Sequence, residues 1–225
     1  MIPPAEKIDS FQEKIFSFYR TSGRNLPWRK TTDPYAIFVS EVMLQQTQVD
    51  RVIPFYQRWL QRWPTIHTLA QADRAEVLKM WLGLGYNNRA VNLHKASQCI
   101  VQQFTGNIKE ALESGTKIPG IGPYTERAVR IFAFNEDLVT VDTNIRRILI
   151  HQLNLPETVS DADLWQLAEH CLPYGQSRDW HNALMDYGSL VLTSRKTGIK
   201  PKTQQSRFEG SDRQIRAMIL RFFLQ

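Results

Sequence analysis

Apolar residues recur along this chain at spacings of three and four, with no convincing run of period-two alternation, and that pattern predicts an all-α fold. Ile8, Phe11, Ile15 and Phe18 mark one face of an opening helix. Asp33-Pro34 reads as a second start, a capping residue followed by proline at the first helical position. Further helices are predicted at about 49–63, 73–82, 87–104, 107–115, 123–134, 143–153, 161–171 and 178–193. The breaks between them carry Pro64, Gly83, Gly85, Gly106, Pro119-Gly120 and Pro173 to Gly175, which suit helix ends and tight connections. In the last helix Ile215, Met218, Ile219, Phe222 and Phe223 form one stripe, and Arg213, Arg216 and Arg221 point away from it. Ser211 with Gln214 reads as its capping box. The segment before it, Thr193 to Gly210, is polar and basic and reads as a tether, so the tail is expected to dock by its apolar stripe.

Composition narrows the class. The 225 residues fit one large domain or two small ones, and two cysteines supply neither a disulfide framework nor four thiolates for a metal site. There is no basic start followed by an apolar run and no 18-residue apolar stretch, so a soluble cytoplasmic protein in a reducing compartment, with no membrane partner, is expected. The net charge of +6 is unevenly placed: residues 1–193 hold 20 basic and 20 acidic side chains, whereas 194–225 hold eight basic and two acidic. A basic end is either a solvated tail or the electrostatic footprint of a polyanion binder.

Three places carry candidate chemistry. Lys117 to Thr125, with Gly120-Ile121-Gly122, is a helix-hairpin-helix pattern. It would aim backbone N–H groups at one phosphate, or serve as a plain connection that needs glycine for its turn. Asp142, in Val141-Asp142-Thr143-Asn144, reads as a helix cap, and a carboxylate kept ionised at a helix start also suits a cationic sugar transition state. Glu41 is the one charge in the otherwise apolar stretch Tyr35–Leu44, which predicts burial. It is either half of a structural ion pair, for example with Arg29, or a general acid with a raised pKa.

With Leu26-Pro27-Trp28-Arg29, Ser40 to Val49, Gly83-Leu84-Gly85-Tyr86, Arg89-Ala90, Pro119 to Thr125, Val141-Asp142-x-Asn144 and Asn182 to Gly188, the chain resembles the helix-hairpin-helix DNA glycosylases, most closely those of the adenine-specific MutY type. The resemblance implies two helical lobes with the active site in the cleft between them: a catalytic domain over 1–210, its central part at about 30–135 and its second lobe made of the N-terminal helix plus about 136–193. It implies a monomer that flips a mispaired or damaged base out of double-stranded DNA. By this resemblance Glu41 protonates the departing purine at N7 and Asp142 stabilises the sugar cation, supported by Tyr124 and Asn144. Trp28, Arg29, Leu44, Val49 and Asp186 would line the base pocket, and Gln46 and Tyr86 would enter the base stack. Thr47, Gly120, Gly122, Thr125, Arg195, Lys196, Lys200 and Lys202 would touch DNA. Tyr124 stands where bifunctional relatives hold an imine-forming lysine, so a monofunctional enzyme is expected.

Two departures qualify the resemblance. Leu192 occupies the position of the family's first iron–sulfur ligand, so no cluster is expected; 194–225 would replace it, and hairpin carbonyls could hold a monovalent cation. No lesion-reading domain follows within the chain. The resemblance, through the Glu41 block with Gln45-Gln46-Thr47, implies adenine opposite 8-oxoguanine or guanine as the substrate; the missing domain makes thymine, uracil or another damaged base an alternative, and a non-catalytic DNA-binding module is a third.

Overall fold

The computed structural model describes residues 3–200 and 209–224, and every regular element among them is helical. The helices are α1 (Ala5–Ser22), α2 (Pro34–Leu44), α3 (Val49–Arg62), α4 (Ile66–Ala70), α5 (Arg74–Trp81), α6 (Asn88–Phe104), α7 (Ile108–Glu113), α8 (Pro123–Phe134), α9 (Thr143–Leu153), α10 (Asp161–His170), α11 (Ser177–Leu190), α12 (Ser194–Thr197) and α13 (Asp212–Leu224), with a 3-10 turn at Pro27–Arg29. They form two compact units. One takes the chain through Asn25 and again from Arg130 to α12; the other takes Leu26–Val129 and α13. No helix among the described residues is long and apolar enough to cross a membrane.

In the first unit α1 lies against α11, and α11 against α9. Phe11 and Ile15 of α1 enter a core with Ile145, Ile148, Leu164, Trp180 and Leu184, and Phe11 meets Trp180 edge to face at 5.4 Å. Ile199, beyond α12, is 7% exposed and belongs to this same core. The segment read as a tether from Thr193 is therefore packed at its start, and Lys202 and Arg207 lie outside the described residues.

The second unit is built around α2. Asp33 accepts the Tyr35 N–H at 3.0 Å and Pro34 presets the first turn, so the helix starts where the sequence predicts. Every residue from Tyr35 to Met43 is buried, which is why the stretch lacks a polar stripe. Trp59 of α3 packs edge to face on Trp63 at 4.8 Å and on Trp81 of α5 at 5.5 Å. Helix α4, absent from the sequence reading, is only five residues long and is held by a reciprocal Thr65–Thr68 capping box.

The tail reverses one expectation. Helix α13 forms, but its apolar stripe faces solvent: Ile215, Met218 and Ile219 are more than half exposed, and Phe222 and Phe223 are each 77% exposed. The contact with its unit runs through the polar side, where Arg213 reaches Tyr86. Helix α5, which α13 contacts, leaves that stripe uncovered. Gln214 folds back to the Gly210 N–H at 2.8 Å, one residue before the Ser211 that the capping-box pattern names.

Exposed side chains add little to folding free energy, so replacing Phe222 and Phe223 together by serine is expected to change stability by no more than about 0.5 kcal/mol. Thermal unfolding checks this. A loss of several kcal/mol would restore the docked tail.

Candidate active site

Asp142 is the N-cap of α9. Its Oδ1 accepts the Ile145 N–H at 2.7 Å, and its Oδ2 accepts the Asn144 side-chain amide at 3.1 Å. Asn144 is held in turn: its Oδ1 accepts from Nη2 of Arg147 at 2.6 Å. The same guanidinium donates to Gly188 O at 2.8 Å and to Leu192 O at 2.5 Å. A continuous chain of hydrogen bonds thus joins the carboxylate to the last turn of α11 and the residues beyond it. Gly188 permits the approach, since a Cβ there would meet the Asn144 Cβ at 2.8 Å.

The helix start and its donors favour the ionised form of Asp142, and desolvation opposes them with the larger effect. The Asp142 pKa is pushed above the ordinary carboxylate range by desolvation, against the opposing pull of the Ile145 and Asn144 N–H groups, the Asn144 amide and the Arg147 charge.

The strand-like segment that delivers Asp142 is clamped from α11. Thr140 N donates to Nε2 of His181 at 3.2 Å, and the His181 Nδ1–H donates to Ser177 O at 2.7 Å, which assigns the tautomer. Ser177 Oγ donates to Leu138 O at 2.9 Å. Burial pushes the His181 pKa down to about 4. On the other side of α11, Asp186 is fully buried, and its two oxygens accept from Arg24 Nε at 2.6 Å and Arg24 N at 2.7 Å. Asp186, expected to line the base pocket, joins α11 to the chain that follows α1.

In the second unit Glu41 is 7% exposed, one turn before the end of α2. The helix stops where Arg89 covers its last carbonyls: Nη1 donates to Val42 O at 2.9 Å, Met43 O at 2.8 Å and Gln45 O at 2.6 Å. Gln46 follows with φ of 55°, and Tyr86 has φ of 50°. Neither is glycine, and such a backbone costs about 1 kcal/mol or more per residue. Leu44 and Val49 are half-buried; Trp28 is 8% exposed and packs its edge on Tyr56 at 5.5 Å, a core contact. Arg29 lies half-buried in the 3-10 turn.

The hairpin has the predicted form. Ile121 N donates to Ile118 O at 3.2 Å, Gly120 has φ of 75°, and a Cβ on Gly120 would meet the Asn92 Cβ at 2.6 Å. Gly120 and Gly122 are exposed at the start of α8, and Tyr124 is half-buried on its first turn. Thr125, expected at the DNA contact, is 3% exposed, and its hydroxyl accepts from Gln45 Nε2 at 3.3 Å. Thr47 Oγ1 likewise faces the loop interior, accepting from Arg89 Nη2 at 3.0 Å. Arg195, Lys196 and Lys200 are exposed on and after α12, whereas Lys202 lies outside the described residues.

Within the units, then, Asp142 stands with Asn144, and the loops of Gln46 and Tyr86 meet at one guanidinium. Arg147, His181 and Arg89 carry this scaffolding and were given no role by the sequence reading. A basic residue three positions after Asn144, on a helix whose other inward residues are apolar, was the available signal for Arg147.

Comparison with known proteins assigns the class. The HhH-GPD superfamily of base excision DNA repair proteins matches residues 39–173, and the chain belongs to that superfamily. It is similar to the adenine DNA glycosylases of Buchnera aphidicola subsp. Baizongia pistaciae (36% identical over 184 residues, 80% of this chain and 52% of the relative) and of Mycolicibacterium smegmatis (35% over 228 residues, 92% and 78%). A third, from Rattus norvegicus, is 35% identical over 84% of this chain, which spans 39% of that relative's length. The chain thus covers about half or less of two of these relatives. Among solved structures, a thermostable thymine-DNA glycosylase matches with a TM-score of 0.77 at 28% identity, covering 85% of this chain and 90% of that one. An endonuclease III–DNA covalent intermediate shares the fold, with a TM-score of 0.73 at 17% identity over 91% and 92% of the two chains.

Two outcomes follow from the scaffolding. Arg147→Met leaves the Gly188 and Leu192 carbonyls and the Asn144 amide oxygen without their donor, and a loss of about 3 kcal/mol or more is expected in denaturant unfolding. For His181 the folded protein favours the neutral ring. The unfolded chain therefore protonates first as pH falls below 6.5, and stability drops by about 3 kcal/mol between pH 6.5 and 4, levelling below that. Unfolding curves taken across this window check the sign, with a shallower slope expected in His181→Gln, where the burial-lowered His94 still contributes.

Proposed function

We propose that this chain is a monofunctional DNA glycosylase that removes adenine mispaired with 8-oxoguanine or guanine from duplex DNA. The observation that carries the reading is the pair of carboxylates in contrasting settings: Glu41 buried in an apolar helix, and Asp142 set at a helix start among donors. Two carboxylates of this kind divide the labour of an acid and a charge stabiliser. The similarity to three adenine DNA glycosylases supports adenine as the target.

In the proposed reaction Glu41 donates its proton to N7 of the flipped adenine as the C1′–N9 bond breaks, and the bonding electrons leave with the base. The sugar becomes an oxocarbenium ion beside the Asp142 carboxylate, and water adds at C1′ and releases one proton to solvent to give the abasic site. Asn144 and Arg147 hold the carboxylate in place through the transition. Tyr124 offers no amine, so an imine with the sugar does not form and the strand stays intact. Gly120, Gly122 and the start of α8 would grip a phosphate, and hairpin carbonyls could hold a monovalent cation beside it. Arg195, Lys196 and Lys200 are available for further phosphate contacts.

The residues present do not suit a thiolate-held iron–sulfur cluster. Leu192 is buried, Cys171 is a core residue and Cys99 sits on α6 in the other unit, and no group of three or more metal-ligating side chains occurs among the described residues. The segment after α11 is instead fastened by the Arg147 bond to Leu192 O and by burial of Ile199.

Likeness to the thymine-DNA glycosylase favours a second reading, excision of thymine opposite guanine. Duplexes carrying single mispairs, incubated with the protein and then treated with alkali, separate the two: cleavage at adenine is expected, and cleavage confined to thymine would replace the first reading. Asp142→Asn is expected to lower the single-turnover rate at least a thousandfold while duplex binding persists. Because catalysis needs ionised Asp142, the acid limb of the pH–rate profile should lie above 3.8, and Asn144→Ala, which removes a donor to the carboxylate, should move that limb higher still.

A further inference from the structure

Gln46 and Tyr86 sit on separate loops, 40 positions apart in the sequence, yet both adopt a left-handed backbone that neither side chain favours. Conformations of this kind persist only where the surroundings over-determine them. One side chain touches both loops. Nη1 of Arg89 holds Gln45 O, immediately before Gln46, at 2.6 Å, and Nη2 holds Thr47 Oγ1, immediately after it, at 3.0 Å. That same Nη2 holds Gly85 O, immediately before Tyr86, at 3.0 Å, while the Arg89 backbone N–H donates to Tyr86 O at 2.9 Å. The guanidinium carbon lies 5.6 Å from the Tyr86 ring centre and 5.2 Å from that of Trp81, whose indole N–H also donates to Gly85 O, at 2.9 Å.

A helix end alone does not call for this arrangement. Left-handed glycine caps satisfy terminal carbonyls without burying a charge, and a buried guanidinium carries a desolvation penalty. Burial pushes the Arg89 pKa down to about 10, so the group remains a cation at neutral pH, hydrogen-bonded to both loops. The planar fork also spans acceptors that a single ammonium does not.

We propose that Arg89 is a positioning residue that braces the two loops as one unit, so that Gln46 and Tyr86 enter the DNA stack together. This rests on the reading of Gln46 and Tyr86 as the residues that insert into the stack. In that arrangement Arg89 never reaches DNA. It fixes the separation and direction of two side chains that would otherwise insert independently, and it ties both to the end of the helix that carries Glu41.

The test uses the full chain in an Asp142→Asn background, which keeps the base in place, and a duplex with 2-aminopurine beside an A·G mispair. Insertion unstacks the probe and raises its fluorescence. Arg89→Lys, which keeps the charge but loses the fork, is expected to reduce that rise by more than half. It should also lower the ratio of mispaired to fully paired duplex affinity at least tenfold. Adding Arg89→Lys to the Gln46→Ala/Tyr86→Ala double variant should then cost nothing further. An undiminished rise in Arg89→Lys, with the double variant defective, or additive losses in the triple variant, would overturn the brace alone. An undiminished rise in the double variant would remove the insertion reading and the brace with it. Should Arg89→Lys not fold, Thr47→Val removes one acceptor on the Gln46 loop; a loss of about threefold in the affinity ratio supports the brace, and an unaltered ratio overturns it.

Discussion

Taking a carboxylate out of water is costly unless its oxygens find donors, and the first unit is arranged around meeting that cost at Asp142. One oxygen is served by the backbone of α9 and the other by Asn144. Asn144 is useful only if its own oxygen is held, and Arg147 does that from a buried position. Arg147 in turn needs acceptors, and it finds them in the carbonyls of Gly188 and Leu192. Each donor therefore creates a demand met one step further from the carboxylate. The packing of α9 on α11 is the geometric result, and the His181 clamp on Thr140 fixes the approach to the same point from the other direction.

The second unit meets a related problem with the same kind of side chain. Helix α2 is buried on all sides, so its final carbonyls have no water to turn to, and the Arg89 fork takes them. In both units a buried arginine finishes backbone that would otherwise be left unsatisfied beside a candidate carboxylate. The even balance of charge in residues 1–193 hides this use, because composition counts an internal arginine and a solvated one alike.

Much of the fold was legible because helix starts and stops are local events. Asp33-Pro34 and Asp142 cap helices in the structure as their positions suggest, and Gly120 takes the left-handed turn the hairpin requires. Helices α4 and α12 were not legible, since five and four residues are too few to display a period. The stripe on α13 shows a different limit. Spacing establishes which side chains share a face, but whether that face is covered depends on a partner surface elsewhere, and α5 leaves this one exposed. The same limit explains Asp186 and Thr125. Their positions within matching motifs were plain, but Arg24 and Gln45, which engage them, lie 162 and 80 positions away in the chain. The carboxylates and the hairpin could be picked out by residue type; of the supporting residues only Arg147 left a sequence signal, while Arg89 and His181 bond mostly to backbone atoms that look alike at every position.

Gly188 illustrates how far such dependence extends. Its hydrogen side chain leaves room for Asn144, and a single added methyl group would press on that residue at 2.8 Å. A screen for loss of the proposed excision would therefore recover changes at a site with no functional group of its own. Inspection of the reacting atoms alone would classify those changes as neutral. The space beside a small residue, as much as any charged group, is part of what this sequence has to preserve.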